Sequence, residues 1–123
     1  MATLSKLCLQ PTAVTGTGLG IAVAAITSPG TAIHTASSTA TTIDEVWLYA
    51  VNSSASSVKL TVQYGGTTDP NDYIEVTVQP EAGLVTIIPG LLLQGNATPK
   101  IVRAFAATAN AIVVHGFVNR ITA

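Results

Sequence analysis

The side chains able to do chemistry are few: two histidines, one cysteine and six acidic residues in 123 positions. A hydrolytic centre needs a nucleophile, a base and an orienting acid within hydrogen-bonding reach. The chain has no GxSxG or HExxH pattern and no Cys/His cluster, and nothing in the spacing of its serines, histidines and acids marks a triad. His115 lies in an apolar run beside Gly116, where the ordinary role is a satisfied structural imidazole, and His34 has no metal-ligand spacing to any partner. Asp69, Asn71, Asp72 and Glu75 offer the oxygen ligands that calcium takes. Asp-Pro-Asn-Asp is equally the chemistry of a turn, and Glu75 would point out of a strand. Gly16-Thr17-Gly18-Leu19-Gly20 has the spacing GxGxG rather than GxGxxG, and no amphipathic helix follows to offer its N-terminus to a phosphate. Cys8 reads as a small apolar strand residue and, standing alone, closes no intrachain disulfide. Asn52-Ser53-Ser54 and Asn96-Ala97-Thr98 match the glycosylation acceptor pattern, but no charged segment leading into a long apolar one is read at the start, so both are taken as chance matches. The expectation is a protein that is not an enzyme, with no catalytic, cofactor-binding or metal-binding residues.

Composition points the same way. The net charge is −1, and charged residues make up 9% of the chain against roughly 25% in ordinary soluble domains. Without clustered Lys and Arg there is no phosphate-neutralising surface, so no nucleic-acid partner is expected. A polybasic membrane patch is excluded on the same ground. The longest strongly apolar run, Leu19–Ile26, is too short to span a bilayer. A surface this poor in charge is weakly protected against self-association, and the inference is that other chains cover much of it. Arg103 and Arg120 sit among apolar neighbours in strand-like runs. Two uses are open to them: pairing with Asp44, Glu45 or Glu75, or crossing a subunit interface.

The elements that must position these residues read as strands. Glu45–Asn52 and Val58–Tyr64 alternate with period two, with β-branched and aromatic enrichment. Val46, Leu48 and Ala50 share one face of the first, and Trp47, Tyr49 and Val51 the other. The polar Ser53–Ser57 between the two runs reads as a hairpin loop. Because aromatics are scarce, the tryptophan and tyrosines of this stretch are expected as core anchors. Tyr73–Gln79 and Leu84–Ile88 follow, the latter ended by Pro89-Gly90, with Leu91–Leu93 as a short apolar piece beyond. Lys100–Ala107 and Ala111–Ile121 close the chain, with Thr108-Ala109-Asn110 as a tight hairpin. The last strand is apolar on both faces, Ile112, Val114 and Val118 on one and Val113, Phe117 and Ile121 on the other, which implies burial on both sides. Ser5–Gln10, Gly20–Thr27 and Thr31–Thr35 are further candidates. About seven to nine short strands and no convincing helix predict an all-β, single-domain antiparallel β-sandwich, jelly-roll-like. Leu48, Leu60, Val62, Ile74, Val76, Ile87, Phe105 and Val114 form the expected core.

Four stretches resemble small structural proteins of tailed-bacteriophage virions: Val46-Trp47-Leu48-Tyr49-Ala50-Val51-Asn52, Val62-Gln63-Tyr64-Gly65-Gly66-Thr67-Thr68, Arg103-Ala104-Phe105-Ala106-Ala107-Thr108-Ala109-Asn110 and His115-Gly116-Phe117-Val118-Asn119-Arg120. The likeness covers Ile43 to Thr122. It implies a virion component made in the host cytoplasm: a head decoration (cement) protein binding the major capsid protein and itself, most simply as a trimer. The alternatives are a neck or tail subunit, or a carbohydrate-binding sandwich built on Trp47, Tyr49, Tyr64 and Tyr73. Residues 1–42 carry one formal charge, Lys6, and few large side chains. They divide from the 43–123 sandwich body as a low-charge segment, either strands or an arm ordered on a partner. On the arm reading, deleting residues 2–30 leaves a folded body that no longer attaches.

Overall fold

The computed structural model of the protein describes residues 2–12 and 16–123. Among them are nine strands: β1 (Thr3–Cys8), β2 (Ile21–Ala22), β3 (Thr31–Thr35), β4 (Thr42–Asn52), β5 (Val58–Tyr64), β6 (Tyr73–Val78), β7 (Val85–Gln94), β8 (Ile101–Ala106) and β9 (Ile112–Thr122). Two antiparallel sheets result. One runs β1-β9-β4-β7, with β2 also pairing β9; the other runs β3-β8-β5-β6. Their facing sides enclose one core drawn from both sheets, so the fold is a β-sandwich.

Alternation decides which side chains enter that core. Along β4 every even-numbered residue from Thr42 to Asn52 is buried and every odd one is half-buried. On β9, Ile112, Val114 and Val118 point inward. Leu48, Leu60, Val62 and Val114 are buried as expected, while Ile74, Val76 and Ile87 are half-buried against the core rather than inside it. The aromatics depart from expectation. Trp47 and Tyr49 lie at odd positions of β4, facing away from the core. Phe105 is likewise on the outward parity of β8, where it meets Tyr73 edge-on at 5.7 Å. Bulk did not place them inside because the small inward set of Val, Ala and Leu already fills the narrow gap between the sheets.

The two supposed hairpins are crossings. β4 and β5 belong to different sheets, as do β8 and β9. Asn52 makes the first crossing: its Nδ2 donates to the carbonyls of Ser56 (2.8 Å) and Val78 (2.9 Å), and its Oδ1 accepts from the Ser54 amide (2.9 Å). A buried amide satisfied on both ends turns the chain from one layer to the other. Consecutive strands do pair in β5–β6. Pro89-Gly90 does not stop β7 either. The strand continues through them with a register shift opposite Val46 and Trp47. β7 is an edge strand, so the missing Pro89 N–H breaks no second ladder, and Gly90 takes φ 84°. The run expected over Gly20–Thr27 pairs only at Ile21–Ala22.

The segment before β4 is built into both layers. β1 pairs β9 over six residues and β3 pairs β8. Leu9, Val23, Ile33 and Ala36 join the common core, Val23 and Ile33 with no exposure. Between them the Ser28–Gly30 loop lies over the outer side of the β5 sheet. There Gln63, fully buried, accepts from the Gly30 amide (2.7 Å) and donates to the Ser28 hydroxyl (2.8 Å).

Leu60 is fully buried at the middle of β5. Leu60→Ala is expected to lower the unfolding free energy by about 2–5 kcal/mol, since it removes packed atoms and leaves a cavity. A urea melt checks it: the midpoint falls with the slope unchanged, and an unchanged midpoint contradicts the burial assigned here.

Candidate functional site

Two places concentrate polar chemistry or exposed apolar area. The first is a buried ion network that ties the sheets together. Asp44, on the inward parity of β4, is fully buried. Its Oδ1 accepts from Arg120 Nε (2.7 Å) and its Oδ2 from Arg120 Nη2 (2.9 Å), a two-pronged pair from the neighbouring strand β9. Oδ2 also meets His34 Nε2 at 2.8 Å, across the gap, from β3. His34 Nδ1 accepts the Gln10 amide (3.2 Å), which assigns the proton to Nε2, so the imidazole donates to Asp44. Burial pushes the Asp44 carboxyl up, but the hydrogen bonds from Arg120 and His34, with the Arg120 charge, outweigh it and hold the group below the usual carboxylate range. The hydrogen bond to Asp44 raises Arg120 in turn. Burial, and then the Asp44 charge, push the Tyr64 phenol far up, so its hydroxyl stays a donor, to the Leu91 carbonyl at 2.7 Å.

This network has the members of a proton relay without its geometry. His34 is fully buried, and both its nitrogens are committed, one to Asp44 and one to a backbone amide. Neither ring nitrogen is therefore free to take a proton from a hydroxyl. Its role is mechanical: it joins β3 of one layer to β4 and β9 of the other.

The second place is the outward face of the β1-β9-β4-β7 sheet. Its rows follow from the register. Lys6, Asn119 and Glu45 stand side by side on β1, β9 and β4. The next row is Cys8, Phe117 and Trp47; on the other side come Leu4, Ile121 and Ile43. Trp47 and Phe117 lie parallel within 7°, centroids 5.9 Å apart. The Lys6 ammonium stands 4.8 Å from the centre of the Phe117 ring. Glu45 Oε1 accepts from the Trp47 indole N–H (2.7 Å) and from Asn119 (2.9 Å), and these two bonds lower its carboxyl. Gly90 lies under the indole, where a side chain would strike Cζ2 and Cε2.

Lys6 and Trp47 thus flank the Phe117 ring, and the indole is packed against Phe117 and Gly90. A sugar platform needs an open ring face, and these faces already have partners. Tyr64 and Tyr73 do not join them: the first bonds to β7 through its hydroxyl, the second packs on Phe105 of the other sheet. The face is therefore largely apolar and nearly uncharged, half-buried along β4 and β9 and exposed along β1.

The remaining sequence candidates are dispersed. Asp72 accepts the Thr68 amide (2.9 Å) inside its own turn, and Glu75 pairs with Lys59 at 2.8 Å. Asp69 and Asn71 stay in the exposed turn. Among the described residues no three acidic, histidine or cysteine side chains gather as a metal site. The described glycines of the 16–20 stretch lie in irregular chain before β2, with no helix after them. His115 is on the outward face of β9, opposite Tyr49, whereas His34 belongs to the other sheet. Asn52 is buried and engaged, so it offers no glycan acceptor, whereas Asn96 is exposed. Of the two arginines, Arg120 pairs with Asp44, and Arg103 donates to the Gly30 carbonyl at 3.3 Å. The outward aromatic row was missed because parity reveals two faces without saying which is inside.

No family model, no curated protein and no solved structure matches the chain.

Proposed function

We propose that the protein is a non-enzymatic structural component of a tailed-phage virion, acting as a decoration protein on the head. The observation that supports this reading is the outward face of the five-stranded sheet: aromatic and aliphatic, half-buried along β4 and β9 and exposed along β1, with one lysine and one glutamate on it. Such a face gains most when another protein surface covers it. The resemblance of residues 43–122 to virion proteins supplies the partner, the major capsid protein. The action is then mechanical: area buried across capsomer boundaries raises the free energy needed to part them. We also read the interleaved strand orders, β1-β9-β4-β7 and β3-β8-β5-β6, as a jelly roll with β2 added, the layout of many capsid-associated sandwiches.

The test is to add the purified protein to empty heads assembled from the major capsid protein of the same genome, pellet the particles and heat them. Stoichiometric binding and a raised disruption temperature are expected. Heads that neither bind the protein nor gain stability overturn the decoration role. Binding confined to a few copies at one vertex points instead to a neck or tail subunit.

A further inference from the structure

The outward face carries its two charges in one row and unpaired. Lys6 on β1 and Glu45 on β4 are separated by Asn119 on β9. Two strand spacings put their backbones about 10 Å apart, and among the described residues neither has an ion-pair partner within the chain. The row therefore reads positive, neutral, negative across the sheet. A two-fold axis lying in the face along β9 reverses each row onto itself. Lys6 of one copy then stands over Glu45 of the other, at both ends, with Asn119 over Asn119 between them. The same operation lays Leu4, Ile121 and Ile43 on their reversed copies, apolar on apolar. It sets Phe117 over Phe117, with Cys8 and Trp47 exchanged. No other outward position of these four strands carries a Lys, Arg, Asp or Glu to oppose the match.

We infer that the outward face of this sheet is a self-complementary interface that pairs two copies of this chain back to back through reciprocal Lys6–Glu45 ion pairs. Its size fits a weak, concentration-dependent pair. With the axis along β9 the overlapping strands are β1, of six residues, and β9 and β4, of eleven each, about 440 Å² of sheet per partner, below the roughly 800 Å² of a standard interface. The two sheets would stack in the aligned manner of sandwich layers, within about 30° of each other. This puts a second copy, in place of the capsid protein, on the face, shares with the reading above only that the face is a contact surface, and leaves capsid attachment to the other surfaces of the pair. An isologous pair differs from the trimer implied by the resemblance, because a closed three-fold ring joins unlike patches.

Sedimentation velocity at roughly 100 μM, where dimers of micromolar Kd are populated, is expected to show a dimer. Lys6→Glu and Glu45→Lys each place like charges opposite one another and are expected to weaken the dimer by roughly ten- to a hundredfold. In a one-to-one mixture of the two variants, one copy brings an acid at both positions and the other a base at both. Opposite charges then face each other at both ends of the row, so a heterodimer returns. A wild-type monomer, a trimer, or single variants that dimerise normally overturns the inference, as does a mixture that stays monomeric while both variants are folded by circular dichroism. If Glu45→Lys does not fold, Lys6→Glu, at an exposed site, decides alone: dimer lost at low salt and regained at high salt supports the pairing, and a dimer indifferent to the change contradicts it. A wild-type monomer that still binds heads assigns the face to the capsid, leaving the proposed function standing without this interface.

Discussion

Deletion of residues 2–30 is expected to leave a chain that does not fold. The cut removes β1 and with it the six-residue ladder on β9. It also removes Leu9 and Val23, both buried in the common core. Loss of a packed aliphatic side chain costs about 2–5 kcal/mol on the scale of leucine truncations. The Ser28–Gly30 loop goes too, uncovering Gln63 on the far side of the other sheet. Together these losses rival the whole stability of a small domain, about 5–15 kcal/mol. Circular dichroism and a thermal melt of residues 31–123 read the result: no cooperative transition. Deleting only residues 2–8 is the control. All of β1 but Leu7 is exposed, so this shorter cut leaves a folded, less stable protein. A cooperative melt from 31–123 restores the view of the N-terminal third as an arm that serves a partner.

The second large effect belongs to Asp44. Asp44→Ala leaves the Arg120 guanidinium and the His34 N–H facing a void. Removing one member of a buried pair costs about 3–5 kcal/mol, and because the Arg120 side chain keeps 22% exposure the expected loss is at the lower end, about 3 kcal/mol. The loss is pH-dependent in a definite direction. The folded-state carboxyl sits below its unfolded value, so its stabilisation is complete above that unfolded value, near pH 4, and drains away as pH falls through the folded one. Melts of wild type and Asp44→Ala should differ fully at about pH 7 and converge as acid protonates the group. A constant difference across that range means that Asp44 acts by packing alone.

How much of this was legible depends on the residue. Val58–Tyr64 was readable to its ends because Val58, Leu60 and Val62 alternate with polar neighbours and turn residues bound the run. On β9 the sequence showed that Ile112, Val114 and Val118 share a face, but with Val113, Phe117 and Ile121 opposite, both faces were apolar and neither was marked as the inner one. On β4, Val46, Leu48 and Ala50 compete with Trp47, Tyr49 and Val51, both sets apolar. Periodicity cannot choose between them, and the size of tryptophan suggested the wrong side. The Ser53–Ser57 and Thr108–Asn110 connections look like hairpin turns because a short polar loop serves equally for a turn within a sheet and a step between sheets. The choice lies in distant pairings, β4 with β9 and Asn52 with Val78, that local sequence does not encode. Pro89 looked like a stop because its position at a sheet edge was not known. For the ion network a signal was present. Asp44 shares parity with Val46 and Leu48, and Arg120 with Val118 and Val114, so an acid and a base were both directed at the core and each required the other. The third member, His34, is buried next to the equally buried Ile33 because a register shift between Ala32 and His34 breaks the alternation of β3. That kink is invisible in the residue types.

The packing of Trp47 gives this protein an optical property. It is the one tryptophan in the chain, so the emission excited at the red edge of the absorption comes from a single indole at a known place. That indole is half-buried, stacked on Phe117 and hydrogen-bonded through its N–H to a carboxylate. Its surroundings are thus part protein and part water, and the water lies only on the outward side. Whatever seats itself there strips that water, shifting the emission to the blue and shielding the ring from a soluble quencher such as acrylamide. Occupants that settle anywhere else leave the spectrum as it was. The molecule therefore reports the coverage of one particular face in solution, without a label.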